Sequence, residues 1–151
     1  MKTEKEKIRR LLERTFEKHA WHGPSLKETI EGVTQEQSLI RYPNTHSIIE
    51  LITHITSWRV YVARRLQGDG TYEVSDEINF PHETNWKKAV DDLNESQVQL
   101  LKALDAFPEE KLNELAPHPS AKYTYYTLLH GIIHHDTYHA GQIKLIAKSF
   151  Q

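Results

Sequence analysis

The chain has 151 residues, the usual size of one domain, so a single core is expected across 1–151. Lys and Arg number 19 against 21 Asp and Glu, a formal charge of −2, which argues against holding nucleic acid by bulk positive charge. Cysteine is absent, which excludes disulfides, thiolate metal ligands, iron–sulfur clusters and a cysteine nucleophile.

The first segment, 3–20, carries Ile8, Leu11, Leu12, Thr15, Phe16 and His19 at spacings of three and four and predicts an amphipathic helix. Gly23-Pro24 stops it, and Ser25 is placed to cap a short helical turn through Ile30. Residues 33–44 read as a connection. A second helix is expected from Thr45–Ser47, where Ser47 and Glu50 have capping-box spacing, to about Gln67 before Gly68-Asp69-Gly70. Residues 71–82 read as a polar loop with a short extended stretch through Tyr72, Val74, Ile78 and Phe80. Thr84 is a candidate cap for a third helix from Asn85 to Phe107, with Trp86, Val90, Leu93, Val98 and Leu101 among its apolar positions. Pro108 opens a short helical piece, 109–115, and a last helix runs from about Tyr123 to Ser149. Four long helices and no convincing strand point to an all-α four-helix bundle. The link between the first two is far longer than the roughly 2–8 residues that join adjacent antiparallel helices, so a crossover connection is expected there.

Ten histidines are the informative residues; protonating all of them would carry the formal charge from −2 to +8. On the last helix, at 100° per residue, Leu128, Ile132, Ile143, Ile146 and Phe150 define a stripe roughly 60° wide. His135 and His139 fall inside that stripe, within about 20° of Leu128, whereas His130 and His134 project toward solvent. Two imidazoles on adjacent turns of a core-facing stripe either bond to neighbouring polar groups or aim their nitrogens at one metal ion. The spacing leaves a third ligand open. His54, at the margin of the second helix's stripe beside Trp58 and Tyr61, is one candidate, and His19 is the rival. His22, His46, His82 and His118 lie in loops or near helix starts, where a solvated or capping role is expected.

Three motifs then carry a resemblance. Ala20-Trp21-His22-Gly23-Pro24-Ser25-Leu26, His46-Ser47-Ile48-Ile49-Glu50-Leu51-Ile52-Thr53-His54-Ile55 with Trp58, and His135-Asp136-Thr137-Tyr138-His139-Ala140-Gly141-Gln142-Ile143 occur in this order. Together they resemble the DinB-like superfamily, which includes DinB proteins, YfiT-type metal-dependent hydrolases, and bacillithiol and mycothiol S-transferases. The resemblance implies a four-helix bundle with a long crossover. It also implies a metal held by one histidine of the second helix and a His-x-x-x-His pair of the last, here His54, His135 and His139.

Three neutral histidines leave a divalent ion an open position, the arrangement of a catalytic site. Such an ion lowers the pKa of bound water or ionises a coordinated thiol. The resemblance therefore implies a metal-dependent S-transferase or hydrolase, with a low-molecular-weight thiol brought in as co-substrate because the chain has none. The alternative is a non-catalytic stress-response or binding protein with a structural metal. An all-nitrogen set suits zinc, nickel, copper, cobalt or iron without choosing among them; the expected ion is zinc or nickel, with cobalt, iron or copper next. Asp136 and Gln142 flank the pair and are candidates to orient an imidazole. Trp58 and Tyr61 are candidates for an apolar pocket wall, Trp21 and His22 for a cover over the cleft, and Gly131 and Gly141 for close helix packing. The cluster Arg59, Arg64, Arg65 reads as a solvated face, with a second role in receiving an anionic thiol. The expected setting is a soluble, cytoplasmic protein with a small-molecule substrate, neither nucleic acid nor membrane as partner, and homodimerisation by analogy with such bundles.

Overall fold

The computed structural model describes residues 1–120 and 122–150. Seven α-helices follow in order: α1 (Glu4–Phe16), α2 (Leu26–Ile30), α3 (Gln35–Leu39), α4 (Ile48–Leu66), α5 (Asp76–Asn79), α6 (Trp86–Ala106) and α7 (Tyr125–Lys148). A 3₁₀ turn occupies Glu109–Lys111, and an isolated bridge joins Leu115 to Thr124. Reciprocal capping boxes open α1 (Thr3 with Glu6), α2 (Ser25 with Glu28), α3 (Thr34 with Gln37) and α4 (Ser47 with Glu50). Each satisfies two of the free N–H groups that a helix start exposes.

Helices α1, α4, α6 and α7 are the bundle. Both α1 and α4 pack against α6 and α7, so α1 and α4 occupy opposite corners. Residue pairing sets the directions. Lys5 and Arg9 of α1 reach Asp105 near the end of α6, and Phe16 lies under Arg59. Arg59 reaches Ser96, while Ala63 and Leu66 share a cleft with Gln99 and Ala106, so α4 and α6 run parallel. His54 faces His139 and Tyr61 lies beside Leu128, so α7 runs antiparallel to both. The connection 17–47 therefore carries the chain between opposite corners, with α2 packed on α7 and α3 on α4, as the length of that link requires. A second long connection, 67–85, returns the chain so that α6 can start beside the start of α4.

The apolar core has two halves. One gathers Ile8, Leu12, Val62, Leu66, Leu100, Leu104, Phe107, Leu129 and Ile132. The other gathers Phe16, Leu26, Ile48, Ile52, Ile55, Leu93, Ala140 and Ile143. Between them lies one polar layer. The guanidinium of Arg59 donates to Asp136 Oδ2 and Gln97 Oε1, and its Nε donates to Ser96 Oγ at 3.2 Å. Arg59 is fully buried, as is Arg65, which donates to the carbonyls of Asp69 and Tyr72 and to Glu73. The expected solvated basic face is thus corrected: only Arg64 is exposed, and the other two guanidiniums are already bonded within the protein. A helical wheel cannot register this, because a long arginine stem brings its charge to partners on other elements.

Smaller departures fall at helix ends, in short segments that show no period, and at single positions on the long helices. The first helix ends at Phe16, and His19 sits beyond it, exposed, in the left-handed region at φ 61°. Residues 35–39 form α3 rather than plain connection, and 76–79 form a helical turn rather than an extended stretch. Asn85, not Thr84, caps α6, and Val98 stands on its outer face. A side chain built at Gly131 or Gly141 would meet nothing within 4 Å, so neither glycine serves close helix packing.

Candidate metal centre

α4 and α7 bring the three expected ligands together. His54 comes from the middle of α4, and His135 and His139 lie on successive turns of α7. One ring nitrogen from each falls within 4.8 Å of the others, and this is the one such group of three or more His, Cys, Asp or Glu among the described residues. The rival His19 lies outside the group. His54 and His139 are buried, and His135 is three-quarters buried.

Each ring is held by a different device. His54 Nδ1 donates to the carbonyl of Asn79 at 3.0 Å; a carbonyl only accepts, so the proton is on Nδ1 and the Nε2 lone pair is free. Phe80 stacks on the His54 ring at 4.4 Å between centroids, and His46 stacks on the other face of Phe80 at 4.1 Å. His139 Nδ1 donates to Gln142 Oε1 at 2.7 Å, which likewise leaves Nε2 as the lone-pair nitrogen. His135 Nε2 faces His54 Nε2 at 3.0 Å. Burial pushes His54 down to about 4; the Asn79 carbonyl works the other way, and repulsion from His135 and His139 adds to the lowering. Burial also lowers His139, against the pull of Gln142. Both rings are therefore neutral near pH 7, the form that ligates metal.

The donor set fits a metal ion. Two nitrogens each about 2.05 Å from one tetrahedral ion sit roughly 3.3 Å apart, close to the His54–His135 separation. The hydrogen-bond accounting agrees. With only protein present, His135 Nε2–H must donate to His54, leaving His135 Nδ1 as an acceptor. That atom is buried without a hydrogen-bond partner, as is Asp136 Oδ1 at 3.8 Å, so two acceptors face each other. Were the three histidines to hold a cation, the His135 proton would sit on Nδ1, the nitrogen that faces the Asp136 carboxylate.

Of the flanking candidates, Gln142 bonds His139 directly, and Asp136 joins the histidine cluster to the polar layer by pairing with Arg59 through its other oxygen. Trp58 lies 6.2 Å from the His135 ring, with Tyr61 edge-on to it at 5.3 Å. Trp21 is fully exposed, His22 is exposed too, and both lie in the loop after α1 rather than on α4 or α7. Sequence reasoning missed Asn79 and the stacking role of Phe80. The carbonyl of Asn79 holds His54, while its side-chain oxygen accepts from Trp58 Nε1 at 2.9 Å, and Ser57 anchors the same turn through the carbonyl of Ile78. Only the turn-forming character of asparagine hinted at it.

This bundle with three histidines on two of its helices defines a helical protein with a group that could hold a metal ion. The DinB superfamily family model matches residues 18–143, and the chain belongs to that superfamily. No curated protein and no solved structure matches it. No helix among the described residues is long and apolar enough to cross a membrane.

Proposed function

We propose that the protein is a metal-dependent enzyme in which His54, His135 and His139 hold a divalent transition metal, zinc or nickel foremost. The observation that carries this reading is the convergence of neutral imidazoles whose outward nitrogens are already tied to Asn79 and Gln142. When bound, such an ion ionises a coordinated low-molecular-weight thiol, or water, near neutral pH. The chain supplies no thiol of its own, so in the transferase form the sulfur arrives with a co-substrate. Its sulfur forms a bond to an electrophilic carbon, the leaving group departs with its electron pair, and the thiol proton passes to solvent.

The residues of this chain bind and orient. Gln142 and Asn79 fix two of the rings, Phe80 stacks on His54, and Trp58 lies beside His135. Elemental analysis of tag-free protein is expected to show about one metal per chain, with most of it lost in His54→Ala, His135→Ala and His139→Ala. Full retention in all three variants would remove this reading. Turnover of an activated alkyl halide only with added thiol marks the transferase, and turnover without thiol marks the hydrolase. A chelated protein that stays folded but inactive supports catalysis, whereas unfolding on chelation marks a structural ion.

A further inference from the structure

Beside the histidine cluster, a slot of about 220 Å³ opens between α4 and α7. Trp58, Tyr61 and Val62 form one wall, and Leu128, Gly131 and Ile132 form the other. His135 closes the end nearest His54, and the surface facing the slot is almost entirely carbon. We propose that this slot receives a compact apolar ring of the small-molecule substrate, with the reacting atom at the histidine end; this rests on the metal-dependent reading above.

Three observations select that occupant. The first is size: a cavity of roughly 150 Å³ already accommodates benzene, so this one holds a substituted or fused ring. The second is rigidity. Trp58 is pinned by Asn79 through its indole N–H and Tyr61 packs edge-on against it, so the aromatic wall is formed before anything binds. Arg65 lies against the other side of Tyr61, at 4.3 Å from the ring centroid, and is itself buried. The third is continuity. His135 belongs to both the slot and the cluster, so a ring in the slot places an attached group beside the ligand nitrogens. A polar substrate would strip its own water here and find no partner.

Gly131 provides the test. It is exposed and helical, it lines the slot, and a side chain built there meets nothing within 4 Å. Gly131→Leu therefore plugs the slot without touching a metal ligand, and a better helix former keeps the fold. Indole, a soluble fused ring, is titrated calorimetrically into protein as purified, with glucose as the polar control. Expected are saturable 1:1 binding of indole, none of glucose, and at least tenfold weaker indole binding in Gly131→Leu at unchanged metal content and melting temperature. Gly131→Ala, which adds one methyl, should fall between. Indole affinity unchanged in Gly131→Leu, or matched by glucose, overturns the proposal. So does a self-association of the parent that Gly131→Leu abolishes, since a second copy would then be the occupant. Loss of the metal reading leaves a separate mark: protein lacking metal that still binds indole in a Gly131-dependent way.

Discussion

At the scale of single residues, the histidine cluster depends on what holds the far side of each ring. Gln142 lies one turn beyond His139 and accepts its Nδ1 proton. Gln142→Leu leaves that N–H without an acceptor and frees the tautomer, so metal affinity should fall about 10–100-fold in chelator competition, with Gln142→Glu close to the parent. Position on the wheel was enough to nominate Gln142, His135 and His139, because all three lie on one long helix whose geometry is fixed. His54 was placed by motif rather than by angle, since a margin position has no single neighbour. Asn79 was illegible: its role passes through a backbone carbonyl, an atom every residue owns.

Among the elements, α4 carries His54 and Trp58, and its start is set by Ser47 and Glu50. Ser47 Oγ accepts from the Glu50 amide, and the Glu50 carboxylate accepts from the Ser47 amide at 2.7 Å. Ser47→Ala should cost about 1 kcal/mol in urea unfolding. Partial burial pushes the Glu50 carboxyl up, yet the Ser47 bonds and Arg41 outweigh it and leave it below its usual 4.5. A carboxyl lowered on folding contributes stability above 4.5 that is lost as pH falls through the folded value. The difference in urea midpoint between parent and Glu50→Gln should therefore narrow from neutral pH to about pH 3. Box spacing made the α4 start readable in advance, and Ser25 after Gly23-Pro24 the α2 start, whereas α3 and α5 are too short to show a period.

For the whole molecule, the defining feature is the Arg59 layer between two apolar halves. Removing one member strands a buried charge: Arg59→Ala should destabilise by about 3–5 kcal/mol. Replacing both partners, Arg59→Met with Asp136→Leu, should recover most of that loss in a double-mutant cycle, because no unpaired charge remains. The same pair of variants separates stability from metal retention, since Asp136 also faces His135. The bundle itself followed from the periodicity of four long segments. Its polar layer did not, because Arg59, Gln97 and Asp136 each look like an ordinary polar position until α4, α6 and α7 are set side by side.

Asn79 grips two things at once, the imidazole of His54 by its carbonyl and the indole of Trp58 by its amide. A shift of that one short turn loosens both grips together. If His54 holds a cation and the slot a ring, the two affinities are thermodynamically linked, and whatever factor one imposes on the other is returned in equal measure.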